Sequence, residues 1–177
     1  MLVALVEDEG HDLIPPLARS ALQQFREVHE KVGELDRQIH IWHRSHELSR
    51  RLETIPGIGP ITASAIVATV TDASLFKSGR QLAAWLGLVP RQNSSGGKDR
   101  LGRISKQGDP YIRRLLVVGA HAVLRFCRKG KAAPTRWAAE LLAKKPYNVV
   151  AVALANKMAR IVWALMTTGK RFADSPA

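Results

Sequence analysis

A single cysteine, Cys127, stands in the 177 residues, so the chain has no second thiol for an internal disulfide, and a lone cysteine suits a reducing compartment. No uninterrupted apolar run approaches the ~18 residues a membrane span needs. The opening MLVALVEDEG has no basic start, and its apolar part is too short for a signal peptide. These absences exclude a disulfide-stapled secreted scaffold and make a cytoplasmic, non-membrane protein the expectation. Acidic residues are also scarce, 15 against 27 lysines and arginines, for a formal net charge of +12. Charge of that size and sign points to an acidic polymer as partner. The imbalance is local: between Arg91 and Arg136 twelve basic residues face only Asp99 and Asp109, so +10 of the net charge falls in one quarter of the chain. Arginine dominates there, which favours phosphate recognition over a merely solvated surface.

With 46% hydrophobic residues the chain has enough apolar material for a packed core. Residues 1–17 read as a tail ending near Pro15-Pro16. From Ala18 the apolar positions Ala21, Phe25, Val28, Val32, Leu35, Ile39 and Trp42 follow alternating steps of three and four. That is a heptad seam, and it predicts a coiled-coil helix within residues 18–50 that packs on an inter- or intramolecular partner, with a homo-oligomer expected; an ordinary amphipathic helix lying on the globular part is the alternative. His40, His43 and His46 recur at helical spacing, but no cysteine or carboxylate completes a metal site, so they are expected to face solvent and metal ligands are expected to be none. Beyond Leu52 every segment reads as helix or turn. Helices are expected at Thr62–Val70, Gly79–Gly87, Pro110–Arg128, Arg136–Ala143 and Val149–Met166, with an irregular loop from Pro90 to Gly108. In the helix Gly79–Gly87, Leu82, Ala83, Trp85 and Leu86 are expected inward. In the helix Pro110–Arg128, Ile112, Leu115, Leu116, Gly119, Val123 and Phe126 are expected on the core. The fold class is all-α, a long N-terminal helix followed by a helical domain over 51–168, with residues 169–177 as a disordered tail fraying from Thr167.

Two motifs carry chemistry. IPGIGPITASAI, Ile55 to Ile66, sets two glycines immediately before an apolar helix, as a helix-hairpin-helix turn requires. Backbone amides at Gly57, Ile58 and Gly59 would donate to a DNA phosphate without reading sequence, and Gly59 is expected to need room and a positive φ. The bland alternative is a tight turn with no ligand. The second motif, GLVPRQNSSGGKDRLGRISKQGDPYIRRLL, sets Ser94 and Ser95 before Gly96-Gly97 and rims them with Arg91, Lys98, Arg100, Arg103 and Lys106. A serine so placed could attack a phosphodiester, with cations stabilising the charge that develops. Serine-glycine pairs are also ordinary linker material, and no histidine lies nearby to act as base, so spacing alone does not decide.

Both motifs, in this order from about Leu52 to Leu124, resemble the C-terminal transposase domain of the insertion sequence 110/1111 transposase family. IPGIGPITA, LAAWLGLVPRQNSSGGK and RLGRISKQGDPYIRRLL carry the likeness, and the family's upstream coiled coil is similar to Ala18–Trp42. The resemblance implies DNA strand exchange in transposition, by a serine thought to attack DNA and stay covalently attached. It places that serine at Ser95, or at its neighbour Ser94, and makes Arg100, Arg103, Lys106, Arg113 and Arg114 nucleic-acid contacts. It implies DNA as partner, with a guide RNA in some members. Magnesium would be expected only in the family's N-terminal RuvC-like domain, whose DEDD carboxylates are not arranged here, and this chain is expected to bind no cofactor. The chain is therefore expected to be a truncated, split or decayed transposase, inactive alone. A non-enzymatic helix-hairpin-helix DNA-binding protein and a dominant-negative coiled-coil partner are the alternatives.

Overall fold

The computed structural model describes residues 16–93, 101–128 and 136–172. The chain divides into two units, one ending at Ile39 and one beginning at His40. The first is the greater part of helix α1, Pro16–Ser45, which opens on a proline whose fixed φ suits a first helical position. Phe25, Val28, Val32 and Leu35, four positions of the heptad seam, stand 57, 62, 59 and 48% exposed. Lys31 and Glu34 pair at 2.8 Å on the same helix.

The second unit holds α2 (Glu47–Glu53), α3 (Pro60–Thr69), a 3-10 turn (Ala73–Leu75), α4 (Gly79–Trp85), α5 (Pro110–Arg128), α6 (Arg136–Leu142) and α7 (Tyr147–Thr168). The described protein is mainly helical, as expected. α7 is the hub: α5, α4, α2, α6 and the 3-10 turn all pack on it. It buries Val150, Ala151, Leu154, Ala155, Met158, Ala159, Val162 and Leu165. By length and apolarity this helix reaches what a membrane span needs, which the search for uninterrupted runs missed; here its apolar side is core. Gly169, at φ 72°, closes it in the left-handed conformation. Beyond that cap Phe172 packs against the core and its amide donates to Thr54 Oγ1 (3.1 Å), so order persists past the point of expected fraying.

α5 has the bounds its pattern predicts. Asp109 caps it, its carboxylate accepting from the Ile112 amide at 2.8 Å. Its buried stripe is Ile112, Leu116, Ala120 and Leu124, one residue per turn, with Gly119 against the α2–α3 turn. Phe126, expected inward, is 56% exposed. On α4, Leu82 and Ala83 are buried with Leu86 beyond its end, while Trp85 lies 40% exposed against Phe76.

Two expectations are corrected. The segment Pro90–Gly108 contains an antiparallel ribbon, β1 (Pro90–Gln92) and β2 (Leu101–Ile104), with Pro90 opposite Ile104 and an irregularity before Gln92. Strands this short, one carrying a glycine and an arginine, leave no alternating apolar signal to read. His43 does not face solvent. It is 4% exposed, with Nδ1 2.7 Å from Ser49 Oγ and Nε2 2.9 Å from a Glu53 carboxylate oxygen. Ser49 and Glu53 of α2 reach both ring nitrogens, so a histidine this buried has both satisfied. His46 instead stacks on Trp42 at 3.7 Å. Among the described residues no three His, Cys, Asp or Glu side chains are grouped to hold a metal ion.

Candidate nucleic-acid interface

The α2–α3 connection is a tight hydrogen-bonded turn. The Thr54 and Ile55 amides donate to Arg51 and Leu52 carbonyls, and the Ile58 amide donates to Ile55 (3.0 Å). Ile55 and Ile58 are buried, which fixes the turn on the core. Gly57 has φ 89°, and a Cβ there would lie 2.7 Å from the Gly119 carbonyl oxygen and 2.9 Å from Val123 Cγ2. A Cβ on Gly119 would in turn run into the Gly57 carbonyl oxygen. The two glycines let the turn and α5 cross backbone to backbone. Gly59 differs from its expectation: its φ is −98° and an added Cβ meets nothing within 4 Å. It caps α3 ahead of Pro60, its carbonyl accepting from Ala63 (2.9 Å). Conformational need therefore rests on Gly57, and open space rests on Gly59, at the helix start. The Ile58 amide, already donated within the turn, is not available to a phosphate.

Backbone bonds from Ser105 to Val89 (2.8 Å) and from Lys106 to Gly87 (3.1 Å) continue the pairing into the connection that follows α4. Lys106 takes φ 56°, and Arg91 donates to the Ser105 carbonyl at 3.1 Å. Arg91, Arg103, Lys106 and Arg114 are exposed. Arg113 is not a surface cation of the same kind. It is half-buried, and its Nη1 donates to the Leu86 carbonyl (3.0 Å) and the Gln107 carbonyl (3.1 Å), tying the end of α4 to the exit of the ribbon. Ser94, Ser95, Lys98 and Arg100 lie outside the described residues, between Asn93 of the ribbon and Leu101.

Beside the ribbon lies a groove of about 1360 Å³. Its floor is α7, its walls are the ribbon and the start of α4, and Trp137 of α6 stands among its lining residues. Ser78 and Gln81 cap that wall: Ser78 Oγ accepts from the Gln81 amide, and the Gln81 side chain accepts from the Lys77 amide (2.6 Å). Arg80, Arg103, Lys106, Lys157 and Arg160 line the groove, and among the described residues no aspartate or glutamate does.

Residues 49–135 match the model of the transposase IS116/IS110/IS902 family. That stretch takes in both glycine-bearing segments, from within α2 to beyond α5. A probable family 20 transposase of Pseudomonas aeruginosa is 51% identical over 151 residues, covering 85% of this chain and 45% of that protein. The transposase for insertion sequence element IS1111A of Coxiella burnetii is 41% identical, covering 94% of this chain and 46% of its own length. The chain belongs to this transposase family. The transposase for IS1328 of Yersinia enterocolitica is 40% identical, covering 93% of this chain and 50% of its own length, so the chain spans about half the length of these relatives.

Within this transposase chain the fold brings Arg103 and Lys106 together on the ribbon side of the groove and withdraws Arg113 into a structural bond. Sequence reasoning missed Arg80, Lys157 and Arg160, because α4 and α7, which carry them, lie far apart in the chain. A signal was there for two of them: Lys157 and Arg160 are the only charges on α7, three residues apart and so on one face. An apolar core helix with two charges on one side marks where its surface opens.

Proposed function

We propose that this chain is the DNA-binding, serine-bearing portion of a transposase. The observation that carries the reading is the ribbon: it leads into and out of the Ser94-Ser95 segment and presents Arg91, Arg103 and Lys106 exposed on either side. A nucleophile within a DNA-gripping basic surface is what attack on a phosphodiester needs, since the cations hold the phosphate and offset the charge of the transition state. Ser95 is the preferred nucleophile, with Ser94 beside it. The α2–α3 turn adds a sequence-independent phosphate contact through amides near Gly57 and Gly59. The metal-binding carboxylates, magnesium with them, come from the part of such transposases that the resemblance assigns to a RuvC-like domain, and a guide RNA shares the basic surface in members that use one.

DNA binding of this kind depends on released counterions. If six basic residues contact phosphates, log K against log salt falls with a slope of about −5 on duplex DNA, with little preference among sequences. A fluorescence titration across salt concentrations measures it, and a slope near zero sinks the reading.

The exposed seam of α1 supports association as well. Phe25, Val28, Val32 and Leu35 form an apolar stripe that a second helix would cover. Val32→Glu with Leu35→Glu puts uncompensated charge into that seam, at a cost on the order of several kcal/mol of association. Sedimentation should show the variant at a lower mass than the parent chain; equal masses would contradict a coiled-coil oligomer.

A further inference from the structure

Duplex binding leaves the groove beside the ribbon unexplained. Its floor is apolar, with Val149, Val152, Ala153 and Ile161 of α7 turned into it, and five cations stand around it. Trp163 also lines it, but its indole N–H donates to the Ala73 (3.1 Å) and Phe76 (3.0 Å) carbonyls. Asn156 is likewise held, donating to the Leu88 carbonyl at 3.1 Å. Trp137 is 36% exposed, with the Lys157 ammonium 4.8 Å from its ring centroid.

Stacked duplex DNA keeps the flat faces of its bases inside the helix, so it offers no base plane to the apolar floor. A single small anion would satisfy one or two cations and leave most of about 1360 Å³ unfilled, a volume above the usual range for small-molecule sites. An unpaired strand alternates a flat apolar base with a charged phosphate. Cationic rims with aromatic planes are how proteins hold such strands. Resting on the DNA-binding reading above, we propose that the groove between α7 and the ribbon is a subsite for unpaired nucleotides. Bases lie on the α7 floor and against Trp137, and phosphates are held by Arg80, Arg103, Lys106, Lys157 and Arg160. The groove thus admits a strand that has left its duplex, beside the ribbon.

The test compares labelled oligothymidylate with a short duplex on the whole chain, by fluorescence anisotropy at one fixed salt concentration. Ala153→Trp fills the floor, and Trp137→Ala removes the plane. Each is expected to weaken single-strand binding about tenfold, the scale of one lost stacking contact, while duplex affinity changes less than about twofold. Trp137→Phe, which keeps a ring, should restore most of the loss even if Ala153→Trp fails to fold. Equal losses on both DNAs, no loss on either, or displacement of oligothymidylate by polyglutamate as readily as by unlabelled oligothymidylate would overturn the proposal. A parent chain that binds duplex but no single strand overturns the groove alone. One that binds neither overturns the DNA-binding reading beneath it.

Discussion

Gly57→Val is expected to destabilise the helical unit by about 3–5 kcal/mol, combining the strain of a branched side chain at positive φ with overpacking at a backbone crossing. The φ of 89° alone disfavours valine, and its Cβ would sit 2.7 Å from the Gly119 carbonyl oxygen, which has no side-chain freedom with which to retreat. Since domains of this kind are stable by only about 5–15 kcal/mol, the loss consumes much of the total. Gly59→Val is the contrast. Its backbone is extended and its surroundings are open, so it should cost at most about 1 kcal/mol, the difference between a good and a poor capping residue. Denaturant midpoints of the two variants, only two residues apart, should therefore differ widely; a tolerant Gly57 would refute the crossing. Because Gly59→Val keeps the fold, it is also the clean probe of the turn as a phosphate site. Duplex affinity should fall in that folded variant, and unchanged affinity would favour a turn with no ligand.

Why the sequence pointed to Gly59 and the structure to Gly57 is instructive. Two glycines in IPGIGP look alike locally, and only the approach of Gly119, more than sixty residues on, makes one of them indispensable. Similar reasoning separates the legible from the hidden elsewhere. α5 was legible to the residue, because Asp109, Pro110 and an apolar residue at each turn are local signals. The ribbon was hidden because three- and four-residue strands with a bulge have no period to detect. His43 was hidden because its partners, Ser49 and Glu53, lie six and ten residues on, on the next helix, outside the period that relates it to His40 and His46. The basic character of the candidate interface was plain from composition, but not its shape. Arg113 looks like its neighbour Arg114 in sequence, and only the carbonyls of Leu86 and Gln107 reveal that it holds the chain together. The groove needed Arg80, Arg103 and Lys157 from three separate elements. The serines rest on resemblance to the family, since nothing in their spacing distinguishes a nucleophile from a linker.

The largest functional effect is expected at those serines. A seryl oxygen attacking a DNA phosphorus forms a new phosphoester and breaks the bond to the departing strand, which leaves the protein covalently joined to DNA. The 177 residues by themselves should neither cleave nor join DNA, because the metal-binding carboxylates are proposed to lie in a RuvC-like domain. The same residues within a full transposase, fused to the N-terminal half of one of the longer relatives, should form the link. Ser95→Ala should reduce the adduct below detection while leaving duplex affinity nearly unchanged, since alanine preserves the segment and its basic flanks. Ser94→Ala should be mild, and the reverse result would move the nucleophile by one residue. The decisive measurement is mass spectrometry of the nuclease-digested adduct. The account predicts a nucleotide-bearing phosphoserine in the Asn93–Gly97 peptide of the parent fusion and none after the double change to alanine. A covalent adduct that survives the double change would contradict it.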